Sequence, residues 1–207
     1  MSLVKRITLC ILAILALNAV VVSAASAASP AWWVEGKLLG SGVKEAIAET
    51  TTVTSAFVIK GSSLGVECPT VRFDEAYIEG EKLRKEKSII FEGCKVPGQP
   101  SCKVATIETG PLTATLEGTK EHFKLKFKPT SGTEIATITI SGSGCTGSLV
   151  IDGTMACNYP KVEAENTNHI LEFTLTSGSE LKHGSEEITL KGTDEFWLKS
   201  GKKWSVQ

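Results

Sequence analysis

The sequence predicts an all-β protein: an antiparallel β-sandwich or barrel of about 10–14 short strands that is stapled by disulfides. Three observations predict this fold. Apolar and polar residues alternate with a period of two, turn residues recur about every ten residues, and five cysteines follow a hydrophobic N-terminal segment.

Residues 1–27 are predicted to be a signal peptide. Lys5 and Arg6 precede an almost wholly apolar run from Ile7 to Val22, and small residues follow it. A positive flank, a short apolar core and an A-x-A exit are what signal peptidase cleaves, with Ala25-Ser26-Ala27 as the best site. An uncleaved anchor is the alternative, but the run is short for a span of about 20 residues. We therefore predict one secreted β domain over 28–207, outside the cell or in the cell envelope, with no membrane span after cleavage.

The charge balance argues against a nucleic-acid partner. The chain has 22 basic and 23 acidic residues, a net charge of -1. Loss of Lys5 and Arg6 lowers the basic count from 22 to 20 and takes the net charge to -3. Nucleic-acid binders usually carry a strongly basic face.

Strands are predicted wherever the period-two pattern holds. Phe123, Leu125 and Phe127, for example, alternate with polar residues. The strand candidates are 31–39, 50–60, 71–78, 88–91, 112–117, 122–128, 135–140, 149–155, 171–176, 187–191, 196–199 and 204–206. A short helix over Val43 to Glu49 is an open alternative to extended chain. The charged stretch from Glu79 to Lys87 is predicted to be a solvated hairpin connection.

The two ends of the domain share a tryptophan-rich texture. Trp32 and Trp33 lie near the start, and Trp197 and Trp204 near the finish. We hypothesise that the first and last strands lie side by side or face each other across the core, which would protect the sheet edges.

The cysteines predict disulfides, since the domain is expected to fold after export. Cys94 and Cys102 flank a Pro-Gly reversal and form the best pair, and Cys145 with Cys157 is the second. Cys68 is then left over: it is either an unpaired, buried thiol, or it displaces one partner in this scheme. No C-x-x-C spacing or nearby histidine pair predicts zinc, and no cofactor is expected.

Three segments around the cysteines carry a resemblance. They are Cys68-Pro69-Thr70-Val71, Ile90-Phe91-Glu92-Gly93-Cys94 with Cys102, and Ile107 to Leu112. Together they resemble a large paralogous family of secreted, β-rich and mostly uncharacterised actinobacterial proteins. Residues 30–39 and 201–205 are similar to the same family, so the resemblance covers most of the mature chain. It implies export and a β-rich fold, and it carries no activity and no site residues.

No pattern predicts catalysis. His122, His169 and His183 lie outside any nucleophile motif. Nothing in the sequence pairs two of the acids as a glycosidase would; these are Asp74, Glu75, Asp152, Asp194 and Glu195. We predict a binding or structural role, with an extracellular hydrolase as a lesser alternative.

Three surfaces are candidates for binding. Trp32, Trp33, Trp197 and Trp204 are possible ligand-contact aromatics for a cell-wall or extracellular polysaccharide, although core packing is the alternative. Consecutive strand residues point to opposite faces, so one of Trp32 and Trp33 should be core and the other more exposed.

The second surface is a basic strand face, and the third is an array of threonines. Lys120, Lys124, Lys126 and Lys128 fit an anionic cell-wall polymer or a solvated edge strand. Four T-x-T units, at 52–54, 113–115, 137–139 and 174–176, fit ice binding if they stack on one flat sheet, or simply reflect the strand propensity of threonine.

Overall fold

The computed structural model describes residues 29–48, 55–59, 65–119, 122–159, 165–173 and 180–207. The predicted signal peptide, Lys120 and the T-x-T units at 52–54 and 174–176 lie outside these ranges. Within them, every regular element is a strand. The strands are β1 (Trp32–Val34), β2 (Lys37–Leu38), β3 (Lys44–Ala48), β4 (Ser55–Ile59), β5 (Gly65–Cys68), β6 (Thr70–Asp74), β7 (Tyr77–Glu79), β8 (Leu83–Glu86), β9 (Ser88–Glu92), β10 (Lys103–Val104), β11 (Ile107–Glu108), β12 (Leu112–Thr119), β13 (His122–Pro129), β14 (Glu134–Ser141), β15 (Gly147–Asp152), β16 (Met155–Tyr159), β17 (Asn168–Phe173), β18 (Leu181–His183), β19 (Glu186–Leu198) and β20 (Trp204–Val206).

The predicted all-β, disulfide-stapled class is confirmed, and the sheets are antiparallel and curled. Left-handed residues divide two of the predicted strands, 31–39 and 71–78, whereas β19 joins the predicted strands 187–191 and 196–199 into one. Glu75, at φ 48°, separates β6 from β7. Glu35 and Gly36, at φ 51° and 70°, form the tight turn between β1 and β2, as a type I′ hairpin requires.

Eight strands form the first of two barrel-shaped halves, which we call the first barrel. Their antiparallel pairing runs β19-β17-β16-β13-β12-β8-β7-β3 and returns to β19 through Trp197 opposite Ala48 and Leu198 opposite Ile47. The inward-facing positions of β13, which are Phe123, Leu125 and Phe127, are buried. Eight strands enclose a space that side chains can fill.

The N-terminal part of β19 belongs to the second barrel. Its pairing runs β10-β14-β15-β18-β19-β4-β5, and Lys95 completes the path by bridging Glu67 of β5 and Lys103 of β10. A bulge between Glu134 and Ala136 lets both Ile135 and Ala136 reach the core, although strict alternation would place these two side chains on opposite faces. One continuous cluster of buried apolar side chains spans both barrels.

The hypothesis that the first and last strands meet is confirmed. β1 pairs with β20, with Trp33 opposite Ser205. The small sheet β2-β1-β20 lies against the first barrel, where the indole N–H of Trp32 donates to the carbonyl oxygen of Leu83 at 3.1 Å. The centroids of Trp32 and Trp204 are 5.8 Å apart. The chain ends therefore supply core side chains to the first barrel.

The structure decides one alternative that the sequence left open and overturns one prediction. Of the segment considered for a short helix, residues 44–48 form strand β3, because β7 and β19 pair with it on either side. Tertiary pairing therefore overrides helix propensity. The charged stretch from Glu79 to Lys87 is not a solvated connection, because it contains β8, whose Arg84 and Glu86 are buried.

The predicted pairs Cys94–Cys102 and Cys145–Cys157 are also wrong, and the alternative in which Cys68 displaces one partner is confirmed. Cys68 pairs with Cys94, Cys102 pairs with Cys145, and Cys157 is a buried thiol outside both disulfides. The bridge between Glu67 and Lys95 sets Cys68 directly opposite Cys94, with Cα atoms 4.1 Å apart. The bridge between Lys95 and Lys103 does form the predicted hairpin, but it offsets Cys94 and Cys102 on either side of the paired residues.

The second disulfide joins segments that are distant in the sequence. β10 pairs with the end of β14, which brings Cys102 to the turn that contains Cys145. Cys157 lies opposite Leu125 in the first barrel, where its thiol donates to the carbonyl oxygen of Leu125 at 3.5 Å, and it takes part in neither disulfide. Within the described ranges, no helix is long and apolar enough to cross a membrane.

Candidate functional site

The outer wall of the first barrel carries a cluster of lysines and threonines that we call the lysine face. It consists of the outward residues of three neighbouring strands: Lys85, Thr113, Thr115, Lys124, Lys126 and Lys128. Directly opposed residues of antiparallel strands share a face. Lys85 is opposite Thr113, and Thr113 is opposite Lys128. The three side chains therefore form one row across the wall.

Few carboxylates balance this face. Glu79 binds Lys85 at 2.8 Å and lies 3.7 Å from Lys44. The hydrogen bond between Lys85 and Glu79 lowers the pKa of Glu79 and raises the pKa of Lys85. Glu117 lies opposite Lys124. Among the described residues, Lys126 and Lys128 have no ion-pair partner.

The lysines of β13 do not protect a sheet edge. Lysines on an edge strand discourage edge-to-edge pairing, which was the alternative to a binding role. β13 pairs with β12 along its whole length and with β16 on its other side. Three lysines at alternate positions therefore lie on a central strand, where they have no edge to protect.

The lysine face was only partly predictable from the sequence. Lys124, Lys126 and Lys128 were identified by alternation, whereas Lys85 lies in the stretch interpreted as a connection. The usable signal was the same period of two, with Leu83 and Lys85 alternating against Arg84 and Glu86. Because Arg84 and Glu86 occupy the inward positions, this strand lacks the apolar face by which the alternation is usually recognised.

The structure divides the four tryptophans. Trp32 and Trp204 are 0% exposed, so the prediction that they contact a ligand is wrong. Trp33 and Trp197 are half-buried. The prediction that one of Trp32 and Trp33 is core and the other more exposed is confirmed.

Trp197 belongs to a small mixed patch on the outer wall of the first barrel. Ala48 lies opposite it on one side and Asn168 on the other. The side-chain amide of Asn168 donates to the carboxylate of Glu195. This Trp197 patch therefore combines an aromatic ring, a small neighbour and two polar groups, the combination that holds a sugar ring.

The histidines do not form a catalytic triad among the described residues. His122 is exposed, and Nδ1 of His183 lies 3.0 Å from the carbonyl oxygen of Val150. His169 packs against Trp204, with ring centroids 4.0 Å apart, and its Nε2 lies 2.8 Å from the carbonyl oxygen of Trp204. Burial lowers the pKa of His169.

Three of the acids considered for a glycosidase pair make structural contacts. Asp74 and Glu75 both reach Nζ of Lys87, at 2.9 and 3.3 Å. Asp152 accepts a hydrogen bond from Thr133 at 2.9 Å. In the part of the chain that the structure describes, no group of His, Cys, Asp or Glu side chains is arranged to hold a metal ion.

The two described T-x-T units do not form one array. Thr113 and Thr115 lie on β12, whereas Thr137 and Thr139 lie on β14, in the other barrel, with six strands between them along the sheet. Ice binding requires such pairs on one flat surface, so these two units give it no support.

The most unusual group is the buried pair of Arg84 and Glu86. The guanidinium carbon of Arg84 lies 4.5 Å from the ring centroid of Phe73 and 4.7 Å from that of Phe196, within cation–π range. Burial raises the pKa of Glu86, and the neighbouring Arg84 opposes that rise. Both side chains are enclosed, so they act on the core and are not available to a ligand at the surface.

Comparison with protein-family models, with curated proteins and with solved structures found no match for this chain.

Proposed function

We propose that this chain is a secreted protein that binds an anionic polymer of the cell envelope through the lysine face. The observation that carries the proposal is the position of Lys124, Lys126 and Lys128 on a central strand, in a protein whose overall charge is slightly negative. A basic face on such a protein is a local feature and not a result of its composition. A local field of one sign attracts ligands of the opposite sign.

The spacing of the charges fits a repeating polyanion. Alternate residues of a strand lie about 6.7 Å apart, so the three lysines of β13 form a line of ammonium groups at that interval. Lys85 lies two strands from Lys128 in the same row, about 10 Å away. Thr113 and Thr115 place hydroxyl groups between the charges. A polymer with a phosphate or carboxylate in each repeat can meet several of these groups at once.

The compartment is part of the proposal. Two disulfides are characteristic of proteins that fold in an oxidising environment. Two features of the sequence also support secretion. They are the signal-peptide pattern at 1–27 and the resemblance to secreted actinobacterial proteins.

A binding titration tests the proposal. The mature protein is titrated with a soluble poly(glycerol phosphate), and with neutral dextran of similar length, at 50 mM and 300 mM salt. We expect the phosphate polymer to bind and dextran not to bind, with affinity falling as salt rises. Lys126→Gln with Lys128→Gln should weaken binding by about fivefold or more, since each ion pair contributes about 0.5–1 kcal/mol.

A matched variant separates the lysine face from total charge. Lys182 and Lys191 are exposed lysines of the second barrel. Replacing both by glutamine should change the affinity by less than about twofold. No binding of the phosphate polymer at 50 mM salt, or equal losses in the two double variants, would contradict the proposal.

The Trp197 patch favours a second candidate, binding of a neutral polysaccharide. Neutral glycans should then quench tryptophan fluorescence, with little dependence on salt. Trp197→Phe should abolish the quenching, whereas Trp33→Phe, the other half-buried tryptophan, should retain it. Quenching that survives Trp197→Phe would reject this candidate.

A further inference from the structure

The second barrel has an open cavity of about 310 Å³ at the end where β14 turns into β15. Ile140 and Val96 form its floor and are 5% and 4% exposed. Leu149 and Cys145, both partly buried, form its walls. Barrel mouths are common places for small ligands, and this volume is at the lower end of the range for such sites.

A glycine keeps this mouth open. Gly147 lies directly opposite Ile140 on the neighbouring strand, so a side chain at 147 would share the face of Ile140 and cover it. A Cβ added at Gly147 would meet no atom within 4 Å. A glycine inside a strand often marks a place where another group approaches the backbone closely.

The rim of the cavity is held in place before any ligand arrives. The disulfide between Cys102 and Cys145 ties the loop that begins at Val96 to the turn between β14 and β15. The hydroxyl of Thr146 donates to the carbonyl oxygen of Gly142 at 3.0 Å and fixes the same turn. A site that is already ordered avoids the entropy cost of forming on binding.

The lining selects an uncharged ligand. None of the lining residues has an ionisable side chain, since Cys145 is oxidised. Gln99 and Thr146 are the polar side chains at the edge. At about 30 Å³ for each water-sized group, the volume holds about ten non-hydrogen atoms.

We propose that the mouth of the second barrel binds an uncharged, largely apolar small molecule or terminal group of about ten non-hydrogen atoms. The site is distinct from the lysine face, which lies on the outer wall of the first barrel, so either proposal can fail without the other.

The test uses two probes of the required size, indole and 1-octanol, with the mature wild-type protein. Methyl-resolved NMR follows Val96, Ile140 and Leu149 while each probe is added. We expect saturable shifts at these methyl groups with a dissociation constant of about 1 mM or lower. A response to indole alone assigns a planar ring system, a response to octanol alone assigns an alkyl chain, and either response supports the site.

A pair of glycine variants supplies the control. Gly147→Leu places a side chain in the cavity and should weaken binding by about tenfold or more. Gly110→Leu is the matched variant, because a Cβ there also meets no atom within 4 Å, but Gly110 does not line the cavity. It should bind like the wild type.

Two results would overturn the proposal. One is the absence of shifts at the three residues with both probes. The other is undiminished binding by Gly147→Leu. If Gly147→Leu does not fold, Gly147→Ala adds a single methyl group to open space and should still reduce the affinity measurably.

Discussion

The guanidinium of Arg84 and the carboxyl group of Glu86 lie side by side inside the first barrel, with Nε of Arg84 2.6 Å from Oε1 of Glu86. Both side chains are completely enclosed. They project from the same face of β8, between Ile78 and Ala114 at Arg84 and beside Leu112 at Glu86. A charged pair in such a place depends on both members being present.

Removing one member of the pair should be far more harmful than removing both. Arg84→Met or Glu86→Leu alone leaves a buried group without its counterpart, at a cost of about 3–5 kcal/mol in the free energy of unfolding. The double variant should lie within about 1–2 kcal/mol of the wild type, because apolar side chains of similar volume can replace a buried pair. Urea denaturation of the wild type, the two single variants and the double variant measures these differences. A double variant whose loss of stability equals the sum of the two single losses would contradict the prediction.

Glu86 should make the protein less stable as pH rises. Its pKa in the folded protein is raised by burial above the ordinary value of 4.5. Between pH 4.5 and the raised pKa of Glu86, the folded state holds a proton that the unfolded chain has lost. The free energy of unfolding therefore falls as pH rises through this range. Compared with Glu86→Gln, the wild type should lose stability from about pH 4.5 upward and then level off. A constant difference in denaturation midpoint across pH 4–8 would show that Glu86 does not titrate in this way.

His169 should act in the opposite direction. Burial lowers its pKa below the ordinary value of 6.5, so on acidification the unfolded chain takes up the proton first. The free energy of unfolding should therefore fall as pH falls below about 6.5 and level off below the lowered pKa. His169→Gln keeps a donor for the carbonyl oxygen of Trp204 and should lack this dependence. The comparison is a pair of melting-temperature profiles from pH 4 to 8, and the prediction fails if the two profiles run parallel.

The mature protein should contain one thiol that reacts only after unfolding. Cys157 is buried, and its Sγ lies 3.5 Å from the carbonyl oxygen of Leu125. A thiol reagent should therefore find almost no reactive group in the native protein and one per chain in denaturant without reductant. Peptide mapping should give the pairs Cys68–Cys94 and Cys102–Cys145. A peptide linking Cys94 to Cys102 would refute the pairing.

The sequence could predict the features that depend on near neighbours. Alternation predicts the buried face of β13 because successive side chains of that strand face the core and the outer wall in turn. The predicted bounds of β20 match those observed, although all three of its residues are buried and do not alternate. The first–last strand pairing also followed, since the tryptophans at both ends needed a common core.

The remaining features depend on register between distant strands. Cys68 meets Cys94 only because Glu67 pairs with Lys95, and no local pattern specifies that pairing. The stretch that contains Arg84 is predicted to be solvated because it is densely charged, and charged residues are rarely buried unless they are paired. The burial of Arg84 becomes favourable only when Glu86 and three phenylalanines from other strands surround it. The lysine face was recognised in part, because the row from Lys85 to Lys128 crosses three strands.

Strand β19 completes both barrels, and this sets the order in which the chain can finish folding. A polypeptide is synthesised from its N-terminus. Residues 186–198 form the pairing partner of four earlier strands, β3, β4, β17 and β18. Until those residues are available, both sheets are open and expose unpaired edges. Neither barrel can therefore close before residues 186–198 are available, and a product that stops short of residue 186 would leave unpaired strand edges in both barrels, which favour aggregation.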